Sequence, residues 1–169
     1  MSQPNKKFKI EESEESEKLV SDWFDANSKC LLALVKPGDI LEFKEIGYSH
    51  YGIYTGDNST QGSSSSTQND GDVIHHSKDG PLTGTGVIKI QYLSSFEKQQ
   101  VRVNNTLDKV MQPMEVVEII ETAFSYVDVN GTYNLVTDNC EHFPTLARYG
   151  VPVSTQIDKI KAGLYTGAA

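Results

Sequence analysis

Hydrophobic positions change period along this chain. Up to about Asn104 they come in short runs with strand spacing, and from Pro113 onward they recur at helical spacing. Ile40-Leu41-Glu42-Phe43-Lys44 predicts a strand that follows the turn Lys36-Pro37-Gly38-Asp39. Tyr48 to Thr55 predicts a second strand, rich in aromatic and β-branched residues. Val73 to His76 resumes the sheet, Val87 to Tyr92 alternates as a fourth strand, and Gln99 to Asn104 adds a fifth. Val116, Val117, Ile119, Ile120, Ala123, Phe124 and Val127 then fall on one broad helical face, closed by the turn residues Asp128 to Gly131. Another helix is expected from Cys140 to Tyr149 and a short one around Ile157 to Leu164. Near the start, Leu19, Val20, Trp23 and Phe24 predict an amphipathic helix from about Ser16 to Asn27. A strand-rich middle flanked by helices points to an α+β domain.

Polar stretches set the boundaries. Residues 1–17 end in an acidic run and read as a disordered N-terminal segment. Residues 18–35 form a helical lead-in, 36–158 the folded domain, and 159–169 a C-terminal tail. Inside the domain, residues 57–72 carry Ser63 to Ser66 among Asn, Gln, Asp and Gly, the composition of a flexible loop between two strands.

The chain has 169 residues, enough for one domain, and a formal net charge of −8. That charge argues against nucleic acid as a partner and against simple electrostatic docking on an anionic membrane. The two cysteines, Cys30 and Cys140, are far apart and give no disulfide framework. With no apolar signal core near Met1 and no membrane-spanning run, the expectation is a cytoplasmic chain, peripheral at membranes if it meets them.

The chemistry centres on Asn139-Cys140-Glu141-His142-Phe143. Asn139 reads as an N-cap residue, which places Cys140 in the first turn of a helix, where the dipole and unpaired N–H groups favour a thiolate and an oxyanion. A nucleophile needs a base and a group to orient it. His50 and His75 lie in neighbouring predicted strands, close enough to touch if they share a face. His76 competes with His75, since adjacent strand residues face opposite ways. His142 reads as structural. Against this stand plainer readings: a free cysteine is most often a small buried side chain, and a lone strand histidine is most often structural. A zinc site lacks any close Cys-x-x-Cys or His-x-x-x-His pair, and no phosphate loop or nucleophile elbow is present. No cofactor and no metal are expected.

These residues, taken in order, resemble a known family. Pro37-Gly38-Asp39, Ser49-His50-Tyr51-Gly52-Ile53-Tyr54 with Gly56-Asp57, Val73-Ile74-His75, Tyr133-Asn134, Asn139-Cys140-Glu141-His142-Phe143 and Arg148-Tyr149-Gly150-Val151 follow the motif order of the lecithin:retinol acyltransferase-like family. The branch is that of the H-Ras-like suppressors, also called phospholipase A and acyltransferases. The resemblance implies a circularly permuted papain-like (NlpC-type) fold, with an antiparallel sheet followed by the nucleophile helix. It implies Cys140 as nucleophile, His50 as base and His75 as the residue that orients it. Tyr48 and Asn139 are expected to support the oxyanion or the site. The implied chemistry moves a fatty acyl group from a glycerophospholipid, through a thioester, to water, an amine or a hydroxyl. A papain-like amidase or peptidase, and an interaction module with weak catalysis, remain the rival readings.

Three features depart from the branch. Val151 to Ala169 carries no hydrophobic anchor, the 57–72 loop is long, and Pro144 stands where a helix former is usual. Pro144 is expected to disturb the turn that presents Cys140.

Overall fold

A computed structural model describes residues 18–56, 71–77, 87–127 and 140–153. Its elements run β1 (Phe24–Asp25), α1 (Lys29–Leu34), β2 (Ile40–Lys44), β3 (Ser49–Gly56), β4 (Asp72–Ser77), β5 (Val87–Tyr92), β6 (Gln100–Val103), α2 (Val116–Ser125) and α3 (His142–Tyr149). Short 3-10 turns at Leu93–Phe96 and Thr106–Lys109 flank β6. The strands form one sheet in the order β1-β6-β2-β3-β4-β5, and every pair is antiparallel. The α+β class expected from the sequence is present.

Both faces of the sheet are covered, which is why β3 reads as a nearly continuous buried run from Tyr51. On one face Leu41, Phe43, Tyr54, Val73 and Val101 pack with Leu31 and Val35 around α1. On the other, Ile40, Tyr51, Ile53, Ile74 and Ile88 pack beneath Ile119 and Ala123 of α2 and Phe143, Ala147 and Tyr149 of α3. Alternation along each strand produces this division, because successive side chains point to opposite faces.

The N-terminal helix expected at Ser16–Asn27 is not where the helix lies. Val20 bridges Asn104, the Ser21 N–H donates to the Val103 carbonyl at 3.0 Å, and Phe24–Asp25 pairs with Val101 and Gln100. The cause is the edge of β6, whose N–H and C=O groups need partners that this segment supplies. Trp23 also gains the Arg102 guanidinium 4.3 Å from its ring centroid. The helix of the lead-in starts after Ser28, whose hydroxyl accepts from the Cys30 N–H, and it buries Leu31.

The remaining strand and helix expectations agree with the structure to within about two residues at α2, α3 and all five predicted strands. Several expectations lie outside the described residues: the disordered segment 1–17, most of the 57–72 loop, the turn Asp128–Gly131, Tyr133-Asn134, Asn139 and the helix around Ile157–Leu164.

Candidate active site

His50 stands on β3 and His75 on β4. The ladder sets Gly52 directly opposite His75, so His50 is its diagonal neighbour on the same face. Nε2 of His50 lies 2.8 Å from Nδ1 of His75, with the rings edge to face at a centroid distance of 5.0 Å. Gly52 makes this contact sterically feasible. A Cβ built there would lie 2.7 Å from Val73 Cγ1 and 3.1 Å from His75 Cβ. Its backbone is ordinary for any residue, so the glycine is present for space rather than for conformational freedom.

Aromatic rings wall the pair. The His50 ring sits 5.8 Å from that of Phe43, its cross-strand partner, and the His75 ring sits 5.2 Å from that of Phe96. His75 is buried at 4% exposure. His76 faces the other way and pairs across the ladder with Ile88, so His75 is the histidine that shares the face of His50. The far nitrogen of His75, Nε2, lies 2.5 Å from Oε1 of Gln91 on β5.

Cys140 is half-buried against the α2–α3 side of the core. Its thiol donates to the carbonyl of Ser49 at 3.1 Å, the carbonyl of the peptide that leads into His50. The Ser49–His50 peptide is thus where the thiol side and the imidazole side of the site meet.

The cap geometry differs from the expectation. The α3 N-cap is Glu141, and Cys140 sits in the turn just before it rather than in the first helical turn. The thiol still lies at the positive end of the helix. Pro144 is the third residue of α3. The first four N–H groups of a helix have no partner within it, so a missing N–H at that position breaks no helical bond. Its ring is fully buried instead. Pro144 therefore costs α3 no backbone hydrogen bond. Tyr48 is half-exposed in the β2–β3 turn, immediately before Ser49.

Two charged networks hold the frame. Glu42 accepts from the Ser49 hydroxyl, Arg102 and Asn104, each at 2.7 Å. Burial works to raise its pKa, but those hydrogen bonds outweigh it and hold the carboxyl below its usual range. Arg148, near the end of α3, makes a two-pronged bond to Asp108 and donates to the Gly38 carbonyl at 2.7 Å. Gly38 in turn has φ +90 and donates its N–H to the Tyr54 carbonyl at 2.7 Å. Asp39 beside it is pushed up by burial, more than its bonds from Lys36 and Asn105 can offset. A cavity of about 330 Å³ adjoins Ser49 and Glu141, on the face of β3 away from the imidazoles. Among the described residues no three His, Cys, Asp or Glu side chains converge to hold a metal ion, and no helix is long and apolar enough to cross a membrane.

Gln91, Gly52 and Glu42 were not singled out from the sequence as site residues. The only sequence signal for Gln91 is alternation in Val87–Tyr92, which puts Lys89 and Gln91 on one face. That this face is the one His75 occupies depends on register.

Residues 33–153 match the family model described as lecithin retinol acyltransferase. The chain is 34% identical over 139 residues to human phospholipase A and acyltransferase 4, covering 75% of this chain and 77% of that protein. It is 33% identical over 141 residues to mouse phospholipase A and acyltransferase 3, covering 75% and 79%. Human phospholipase A and acyltransferase 2 is 33% identical over 143 residues, covering 75% and 80%. The chain belongs to the lecithin retinol acyltransferase family.

Proposed function

We propose that this chain is a cysteine-dependent phospholipase A and acyltransferase, built on a circularly permuted papain-like arrangement. The observation that carries the reading is the contact between His50 and His75, set beside a thiol that already touches the Ser49–His50 peptide. Relatives named for phospholipase A and acyltransferase activity support the substrate class, a glycerophospholipid.

The steps balance without a cofactor. His50 takes the Cys140 proton, and the thiolate attacks the ester carbonyl carbon. The ester C–O bond breaks, the lysophospholipid oxygen leaves with the proton held by His50, and the acyl group stays on sulfur as a thioester. Water, an amine or a hydroxyl then attacks the thioester. His50 takes the proton of that nucleophile and returns it to sulfur as the acyl group departs. His75 holds the His50 ring in place throughout. Tyr48, next to the carbonyl that the thiol meets, is the proposed side-chain donor to the oxyanion, and Asn139 the proposed support for the turn that carries Cys140. Pro144 stands at a position that costs no helical bond, which is compatible with an active site at this helix start. Because the proposed acyl donor is a glycerophospholipid, transient contact with a bilayer surface is part of the proposal.

Purified protein given a phospholipid with a labelled acyl chain should form an adduct that hydroxylamine releases. Cys140→Ala should abolish it and Cys30→Ala should not. An adduct that survives Cys140→Ala would sink the assignment, as would its absence from the wild type. Peptide substrates in place of lipid test the amidase alternative in the same assay.

A further inference from the structure

The chain of ring contacts does not stop at His75. An amide oxygen can only accept a hydrogen bond, so Oε1 of Gln91 requires the ring proton of His75 on Nε2. A neutral imidazole protonated at Nε2 has an unprotonated Nδ1. That Nδ1 faces Nε2 of His50 at 2.8 Å, so the proton between the rings belongs to His50. The basic nitrogen of His50 is then Nδ1.

We infer that Gln91 is a positioning residue that fixes both histidines in the Nε2–H form and leaves Nδ1 of His50 as the base. This rests on the proposed role of His50. Reversing the Gln91 amide shows why its direction matters. Its NH2 group would donate to Nε2 of His75, Nδ1 of His75 would donate to Nε2 of His50, and the resting proton of His50 would sit on Nδ1. No basic nitrogen would remain on that side. An imidazolium on His50 would also point N–H at N–H. With the oxygen inward, His50 passes between neutral and cationic forms while the Nε2–H···Nδ1 bond stays unchanged. Gln91 gains and loses no proton in the cycle.

The fold supports a dedicated contact. Gln91 pairs with Val73 across the β4–β5 ladder, which makes it the diagonal neighbour of His75 on their shared face. Phe43 and Phe96 close the site from β2 and from the 3-10 turn after β5. The charged residue on the same face of β5 is Lys89, directly opposite His75. From the β2–β3 turn, Glu45 is engaged by the Gln99 amide at 2.6 Å. Neither is altered in the test.

The test uses the full chain. Long-range proton–nitrogen spectra of protein labelled with nitrogen-15 in histidine, at pH 8 and without lipid, report the tautomers directly. The Nε2–H form at both His50 and His75 is expected, and the Nδ1–H form at His75 overturns the inference whatever the variants do. Gln91→Leu and Gln91→Glu are then compared for Cys140 alkylation by iodoacetamide across pH, with Cys30→Ala as background. Gln91→Leu should slow alkylation at neutral pH about tenfold. Gln91→Glu should restore it and move the alkaline limb up by roughly half to one pH unit, because a nearby carboxylate favours the imidazolium. A Gln91→Leu profile that overlays the wild type overturns the inference. These readouts need no lipid, so a chain that passes them yet fails to turn over phospholipid refutes the proposed function alone.

Discussion

Replacing Gly52 with alanine should damage the fold and the site together, through one methyl group. The added Cβ would lie 2.7 Å from Val73 Cγ1, 3.0 Å from the Ile74 carbonyl oxygen and 3.1 Å from His75 Cβ. The first contact is roughly 0.7 Å inside ordinary van der Waals range. Val73 is fully buried and β-branched, so no alternative rotamer is cheap. The Ile74 oxygen is backbone in the β3–β4 ladder and cannot turn aside. The two strands must therefore separate locally. Overpacking with backbone displacement costs about 3 kcal/mol, the upper end of the usual range. For a chain of this size that lowers Tm by about 6–12 °C. The same displacement stretches the 2.8 Å His50–His75 contact, so thiol reactivity at neutral pH should fall with stability. Gly47→Ala is the control. Gly47 has φ +84 but nothing within 4 Å of the new Cβ, so it should lose about 1 kcal/mol from backbone strain alone and leave the thiol unaffected. Thermal melts by circular dichroism and alkylation rates read both effects. A Gly52→Ala protein that melts within about 1 °C of wild type and keeps its Cys140 reactivity would refute the steric reasoning.

Three further outcomes follow from the framework. Pro144→Ala should cost about 1–2 kcal/mol from lost packing of a buried ring, with no change in Cys140 alkylation; a large change in reactivity would mean the proline shapes the thiol after all. Arg148→Lys should lose about 3 kcal/mol in urea unfolding, because one ammonium cannot make the paired bonds to Asp108 together with the bond to the Gly38 carbonyl; a loss under about 1 kcal/mol would show the network to be replaceable. Glu42→Gln should cost about 2 kcal/mol at pH 7. Because the folded protein holds the Glu42 carboxyl below its ordinary value of 4.5, that stabilisation is complete above pH 4.5 and fades as pH falls through the folded value. The melting difference between wild type and Glu42→Gln should therefore shrink from pH 7 to pH 3, and a constant difference would contradict the assignment.

What the sequence disclosed and what it hid divide along physical lines. Strands such as Ile40–Lys44 were legible because their alternation and flanking turns are local signals. The same holds for α2, where the apolar face is broad and Glu115 and Glu118 form a reciprocal cap. The segment from Leu19 to Ala26 was misread because its apolar spacing suits a helix while a distant β6 edge offers backbone partners. Propensity is a weak prior against an open ladder. In the site, the nearness of His50 and His75 could be anticipated from the loop that joins their strands. Gln91 could not, since its partnership depends on the register of a third strand. Motif residues also carry different burdens than motif order suggests. Pro37-Gly38-Asp39 and Arg148 are far apart in sequence, yet they form one structural joint through the Gly38 carbonyl.

That joint bears on the chemistry. α3 carries Cys140 at its mouth and Arg148 near its end. Arg148 is bonded to Asp108 and Gly38, the Met114 N–H donates to the Arg148 carbonyl at 2.9 Å, and Gly150 closes the helix with φ +74. In the middle, the Thr145 hydroxyl donates to the Val153 carbonyl at 2.9 Å and accepts from the Val153 N–H at 2.8 Å. Eight residues at 1.5 Å each make a rod of about 12 Å. A tilt of about 5° at the fixed end would swing the mouth by roughly 1 Å, a displacement that can cost two orders of magnitude in a rate that depends on alignment. The part-buried ion pair at the far end of the helix is thus expected to matter for the placement of the thiol as well as for stability. Glu42 plays the matching part on the sheet, holding the Ser49 hydroxyl while the Ser49 carbonyl meets the thiol. The proposed nucleophile and its proposed base are held by two separate charged anchors, and the Ser49–His50 peptide is where the errors of both would add.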